Sequence, residues 1–156
     1  MKIEDISFYT INKSLQMSND KYLLDFNKLL YILLLIENEY IKNYETPLFD
    51  ETFIFGNKEL YIGIQNNFHF DISATEYLKN KLFIFIDIFS DYYTHPTFNV
   101  EIDISIKLLI EKVVEEYGLL TKNQLKELII DKYKLHEQYG YKAIPKEGIA
   151  KKLTRA

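Results

Sequence analysis

The sequence has no cysteine and no tryptophan, and only three prolines and five glycines. Without cysteine, disulfides, thiol catalysis and cysteine-based zinc or iron–sulfur sites are excluded, and nothing points to an oxidising compartment. Scarce glycine and proline argue against collagen-like, low-complexity and turn-dense all-β classes. Arginine is nearly absent too: Arg155 stands alone against 18 lysines. The guanidinium fork is the usual reader of guanine and phosphate, so nucleic acid is a disfavoured partner. The charge balance agrees. Asp and Glu number 23 against 19 Lys and Arg, for a net charge of −4. An acidic surface neutralises few phosphates, and phosphate contacts supply most nucleic-acid affinity. Long apolar runs are also missing. The longest uncharged one, Leu29 to Ile36, falls well short of the ~20 residues a bilayer span requires. The N-terminal Met1-Lys2-Ile3-Glu4-Asp5 lacks the basic-then-apolar order of a signal peptide. A soluble, cytoplasmic protein with no membrane partner is expected.

What is present is core material. Hydrophobic residues make up 47% and aromatics 15% of 156 residues, enough for one compact domain spanning 1–156. No repeat or linker divides it. Apolar spacing predicts helices over 3–17, 25–43, 105–117 and 122–134. Ser73-Ala74-Thr75-Glu76 fits a capping box opening a further helix to about Tyr92, and Thr121-Lys122-Asn123-Gln124 fits a second. Asp103 or Ser105 can cap the helix over 105–117, and Gly118 stands where a left-handed C-terminal cap is favoured. Pro145 suits the first turn of a short helix over Lys146–Leu153. Phe53-Ile54-Phe55 is strand-like and Gly56-Asn57 is a turn signal. Lys58 to Gln65 fits a short strand or a helical turn, and Asn66 to Phe70 reads as loop. The expected fold is mainly α, about five to seven helices with a small β element near residues 48–64.

Motifs that carry chemistry are wanting. His69, His95 and His136 form no HxxxH or HExxH spacing. The acidic pairs Asp50/Glu51, Glu101/Asp103 and Glu115/Glu116 read as ordinary helix-start, loop and solvated carboxylates. There is no GxGxxG, no GxxxxGK[ST] and no GxSxG. No catalytic residue, metal or cofactor is expected, and the protein is not read as an enzyme. Aromatic residues dominate the energetic centres of protein interfaces. Phe53, Phe55, Tyr92 and Tyr93 are therefore candidates for a contact surface, with Lys58 and Tyr61 just after the turn.

Asp25-Phe26-Asn27-Lys28-Leu29-Leu30-Tyr31, followed by Pro47-Leu48-Phe49-Asp50-Glu51 and Phe53-Ile54-Phe55-Gly56, resembles the Panacea (SocA-like antitoxin) domain. Val114 to Gly118, Gln124 to Leu128, Gln138 to Gly140 and Ile144 to Ile149 are similar to that family's C-terminal order. The likeness covers roughly 3–70 and 101–153. Asn57-Lys58 stands where the family has a proline, the family's tryptophan is missing, and 71–100 reads as an insertion that adapts the surface to one partner. The resemblance implies an antitoxin of a toxin–antitoxin system that neutralises a cognate, basic protein toxin by direct binding. It implies no catalytic residues. Its KLLY and PLFDE segments are expected to hold the fold, with Lys28 and Tyr31 as alternatives for partner contact. Rival readings are a protease adaptor that delivers the toxin to a host unfoldase-protease, and a phage-borne protein that binds a host defence protein. Residues 108–134 have the outline of a helix-turn-helix, but their lysines are balanced by Glu115, Glu116, Glu127 and Asp131.

Overall fold

A computed structural model of the chain describes residues 2–17, 25–91, 101–136 and 140–146. Along them run α1 (Ile3–Gln16), α2 (Phe26–Tyr44), β1 (Thr52–Gly56), β2 (Glu59–Asn66), β3 (His69–Asp71), α3 (Ser73–Asp91), α4 (Ile104–Tyr117), α5 (Lys122–Tyr133) and β4 (Tyr141–Ala143). The axis of the core is α2. Asp25 caps it by accepting the Lys28 N–H at 2.7 Å, and Glu45 ends it in the left-handed conformation. Every residue from Leu29 to Ile36 is buried, which is the signature of a helix enclosed on all sides. Helices α1, α4 and α5 and strand β2 pack around it.

The other helices follow from local chemistry. In α1, the buried hydroxyls of Ser7, Thr10 and Ser14 each donate to the carbonyl four residues back, at 2.7–2.8 Å. A polar stripe is thereby buried without losing hydrogen bonds. Asp103 caps α4, and Thr121 with Gln124 forms the expected capping box on α5. The start of α3 is set from outside the helix, where Asp71 Oδ1 accepts the Ser73 N–H at 3.0 Å. Gly118 departs from expectation. It closes α4 with φ −64° and ψ −24°, not in the left-handed region. Its carbonyl is taken instead by a buried lysine, described below. Residues 147–153 of the expected last helix lie outside the described residues.

The fold class needs correction. A four-stranded antiparallel sheet, ordered β3-β2-β1-β4, accompanies the five described helices, so the domain is mixed α and β and not mainly α. Asn57 and Lys58, with φ 52° and 61°, form the two-residue turn between β1 and β2, the geometry favoured for hairpins. Of Lys58 to Gln65, Lys58 belongs to that turn and the rest is strand, and Asn66 to Phe70, read as loop, supplies the end of β2 and most of β3. Strands β3 and β4 span three residues each, too short to display a period of two. Each exists by pairing with a neighbour: β3 with β2, and β4 with β1 from far along the chain. The segment 71–100, read as an insertion, supplies α3 as far as Asp91; residues 92–100 lie outside the described residues. Among the described residues, no helix is long and apolar enough to cross a membrane.

Candidate functional site

The register of the sheet sorts the sequence-predicted residues. Phe53 pairs with Ile62 and Phe55 with Leu60. All four are buried against the core. They make the inner face, so Phe53 and Phe55 are core residues. The alternate residues point outward. Tyr61 lies on that outer face and is half-buried. Lys58 is exposed in the hairpin turn and borders a depression of about 400 Å³ against α5. Tyr92 and Tyr93 lie outside the described residues.

Lys28 and Tyr31 are interior. Lys28 Nζ donates to the Gly118 carbonyl at 2.6 Å and is buried. It ties the start of α2 to the end of α4, where a cation complements the helix dipole. Burial lowers its pKa, against the opposing pull of Asp25. Tyr31 is 0% exposed. Among the described residues its hydroxyl has no hydrogen-bond partner. Burial drives its pKa well above the ordinary tyrosine range, and the Glu59 carboxylate adds to that.

The PLFDE segment is also gripped from inside. Glu37, only 2% exposed on α2, accepts the Phe49 N–H at 2.9 Å and Lys146 Nζ at 3.1 Å. Lys146 donates further to the carbonyls of Phe49 and Glu51, both at 2.8 Å. Desolvation raises the Glu37 pKa, while Lys146 and the backbone donors oppose that rise. This pair, Glu37 buried and Lys146 half-buried, locks the loop after α2 and the segment after β4 onto one helix. Nothing local in the sequence marks it, since Glu37 opens the polar run Glu37-Asn38-Glu39 that follows the apolar stretch of α2.

On the outer face Ile54 is buried as well, while Tyr61 and Phe70 are half-buried and Tyr141 is exposed. Tyr61 meets Tyr141 edge-on, with centroids 6.0 Å apart at 69°. Phe70 lies 6.0 Å from the same Tyr141 ring, tilted at 38°. Two glycines make room for this. Tyr141 pairs with Gly56, and a Cβ there would fall 2.2 Å from the Tyr141 ring. A Cβ on Gly63 would fall 1.9 Å from the Asp71 carbonyl, so Gly63 lets the β3–α3 connection cross close over β2. Where β3 leaves the sheet, the Thr75 hydroxyl takes over as edge partner. It lies 2.9 Å from both the amide and the carbonyl of Ile62. Between these parts is a cavity of about 520 Å³, lined by Tyr61, Phe70, Asp71, Ser73, Thr75 and Glu76 among others. Burial raises the Tyr61 pKa, with Tyr141 and Glu59 contributing. Hydrogen bonds from Ser73 hold the Asp71 carboxyl below the usual carboxylate range.

Nearby elements carry further exposed apolar side chains. Phe68, in the β2–β3 turn, is 96% exposed, and Ile64 and Tyr77 are more than half exposed. Of the predicted residues that are described, the structure brings Tyr61 alone into this region. Phe70 and Tyr141 were missed, since neither strand carrying them was legible. The one available signal was Gly56 and Gly63, seven positions apart, on the outward register of an otherwise bulky hairpin. No family model matches the chain, and neither a curated protein nor a solved structure matches it.

Proposed function

We propose that this chain is a protein-binding module that neutralises a cognate toxin by covering it, with the outer sheet face as its docking surface. The carrying observation is the Tyr61–Tyr141–Phe70 cluster, three aromatic rings in partial exposure on one face while the opposite face is filled by the core. Rigid aromatic rings supply contact area at little cost in side-chain entropy. The likeness of the KLLY and PLFDE segments to the Panacea domain supports the antitoxin part of the reading. Net acidity supports a basic target through faster, charge-steered encounter.

The mechanism is steric: the aromatic face covers a functional surface of the toxin, and its burial sets the lifetime of the complex. The test is co-expression with the product of the adjacent open reading frame. The neighbouring product alone is expected to arrest growth, and this chain to rescue it. Paired Tyr61→Ala and Tyr141→Ala changes are expected to abolish rescue and weaken the purified complex at least ~30-fold, the effect of losing a 2 kcal/mol aromatic anchor. A neighbour that is harmless alone, or rescue unaffected by both changes, defeats the proposal.

A further inference from the structure

The cavity beside the aromatic cluster has one sign of charge. Among the described residues its lining includes two carboxylates, Asp71 and Glu76, and no lysine, arginine or histidine. The remaining wall is aromatic, aliphatic or small and polar: Tyr61, Phe70, Ile72, Ser73 and Thr75. Asp71 is kept ionised, because Ser73 donates to its carboxylate. The Ser73 N–H takes Oδ1, and a carboxylate has acceptor sites to spare. Glu76 is exposed in the first turn of α3. The positive end of the α3 dipole, roughly half a charge, offsets only part of these two negative charges.

Aromatic faces attract cations, and the attraction grows as the cation loses water. Carboxylates beside aromatic faces suit a flat, forked cation better than a spherical one. A guanidinium stacks on a ring while its edge donates two parallel hydrogen bonds to a carboxylate. A cavity of about 520 Å³ lies within the usual range for a specific ligand site. Tyr141 buttresses both wall rings, at 6.0 Å from each, which holds the stacking surface in place. Among the described residues no lysine lines the cavity; Lys126 reaches Glu59 at 3.8 Å, and Lys81 lies over Tyr77.

We infer that this cavity seats an arginine side chain presented by the partner protein, stacked on the Tyr61–Phe70 wall and paired with Asp71 and Glu76. The inference rests on the binding-module reading and names the chemistry of its anchor.

The test uses the full chain, isotope-labelled, titrated with a blocked Gly-Arg-Gly peptide and with its neutral citrulline counterpart, each followed by amide shifts. The arginine peptide is expected to give saturable shifts centred on Ile72 to Glu76. Its affinity should exceed that of the citrulline peptide by tenfold or more and weaken with salt. Glu76→Gln, at an exposed position, is expected to cut the affinity severalfold. So is Asp71→Asn, which keeps a side chain able to cap α3. Equal binding of both peptides, shifts that map elsewhere, or an affinity unchanged in both variants overturns the inference. The probe is a peptide and not the toxin, so the two readings fail separately. Lost rescue with peptide binding intact counts against neutralisation, and absent peptide binding with rescue intact counts against the arginine seat.

Discussion

The two faces of one sheet have had opposite fates. On the inner face, Phe53, Phe55, Leu60 and Ile62 are buried against the core. On the outer face, Tyr61, Phe70 and Tyr141 cluster in partial exposure, with Tyr141 at 38%. Both sets belong to the same sheet, and both alternate with a period of two. The helices around α2 cover one face, while Thr75 of α3 pairs with the edge of β2. Composition alone does not separate an aromatic that holds the fold from one available to a partner. Its row in the sheet and what packs on that row do: Ile54 shares the outer row with Tyr61 and is 0% exposed.

That contrast can be broken by truncation. Phe53→Ala, on the inner face, is expected to cost ~3–5 kcal/mol in urea unfolding. Tyr141→Ala, on the outer face, should cost under ~1 kcal/mol, as at other open surface positions. Comparable losses would mean that the outer cluster is part of the core. Removing the clamp behind the inner face comes next. Lys146→Met leaves Glu37 buried without its cation and should destabilise by about 3 kcal/mol. The double change with Glu37→Leu should recover much of that loss, as a double-mutant cycle would show.

The close crossing over the outer face is a sharper probe. Gly63→Ala drives a Cβ into the Asp71 carbonyl, which is backbone and cannot rotate away. A loss of about 2 kcal/mol is expected, together with displaced amide signals from Asp71 to Thr75. Unchanged signals would show that the connection is loose. Tyr31→Phe should act in the opposite sense. It removes a buried hydroxyl that has no partner among the described residues, so stability is expected to rise by up to ~1 kcal/mol. A loss larger than that would reveal a partner.

The smallest effect is read by pH. The Tyr9 hydroxyl donates to Glu111 at 3.0 Å, and burial followed by that carboxylate pushes its pKa up to about 12. Between the ordinary value of 10.0 and about 12, the unfolded chain releases this proton and the folded chain keeps it. Stability must therefore fall as pH rises through that window. Glu111 behaves in the reverse way. Hydrogen bonds from Lys13 and then Tyr9 hold its pKa below 4.5, so its stabilisation is present above that value and is lost on acidification. Tyr31 should ionise last among Tyr9, Tyr31 and Tyr61 in an ultraviolet titration, and Tyr31→Phe should delete that final step. The outer-face Tyr61, raised mainly by partial burial, should ionise before Tyr31.

Helices were the most legible part of the fold. Apolar spacing in 25–43, the Thr121–Gln124 box and the Asp103 cap act within one or two turns of chain, and all three reappear in the structure. Gly118 misled because its local preference was overruled by a contact from ninety residues earlier, Lys28 Nζ on its carbonyl. The sheet was legible only where a turn announced it, at Gly56-Asn57. The Glu37–Lys146 clamp and the Tyr141–Phe70 contact left no trace in the sequence, since their partners are 109 and about 70 positions apart.

The sequence by itself determined a core-rich, acidic, cysteine-free chain organised around one thoroughly apolar helix, because composition and the 3.6-residue period are local properties. Tertiary structure decided which aromatics stayed on the surface. Strand β4 had to arrive from the far end of the chain and lay Tyr141 over the bare backbone of Gly56 before any open aromatic face existed. Side chains brought together by a distant pairing share no periodicity, and only the completed sheet gives them a common surface.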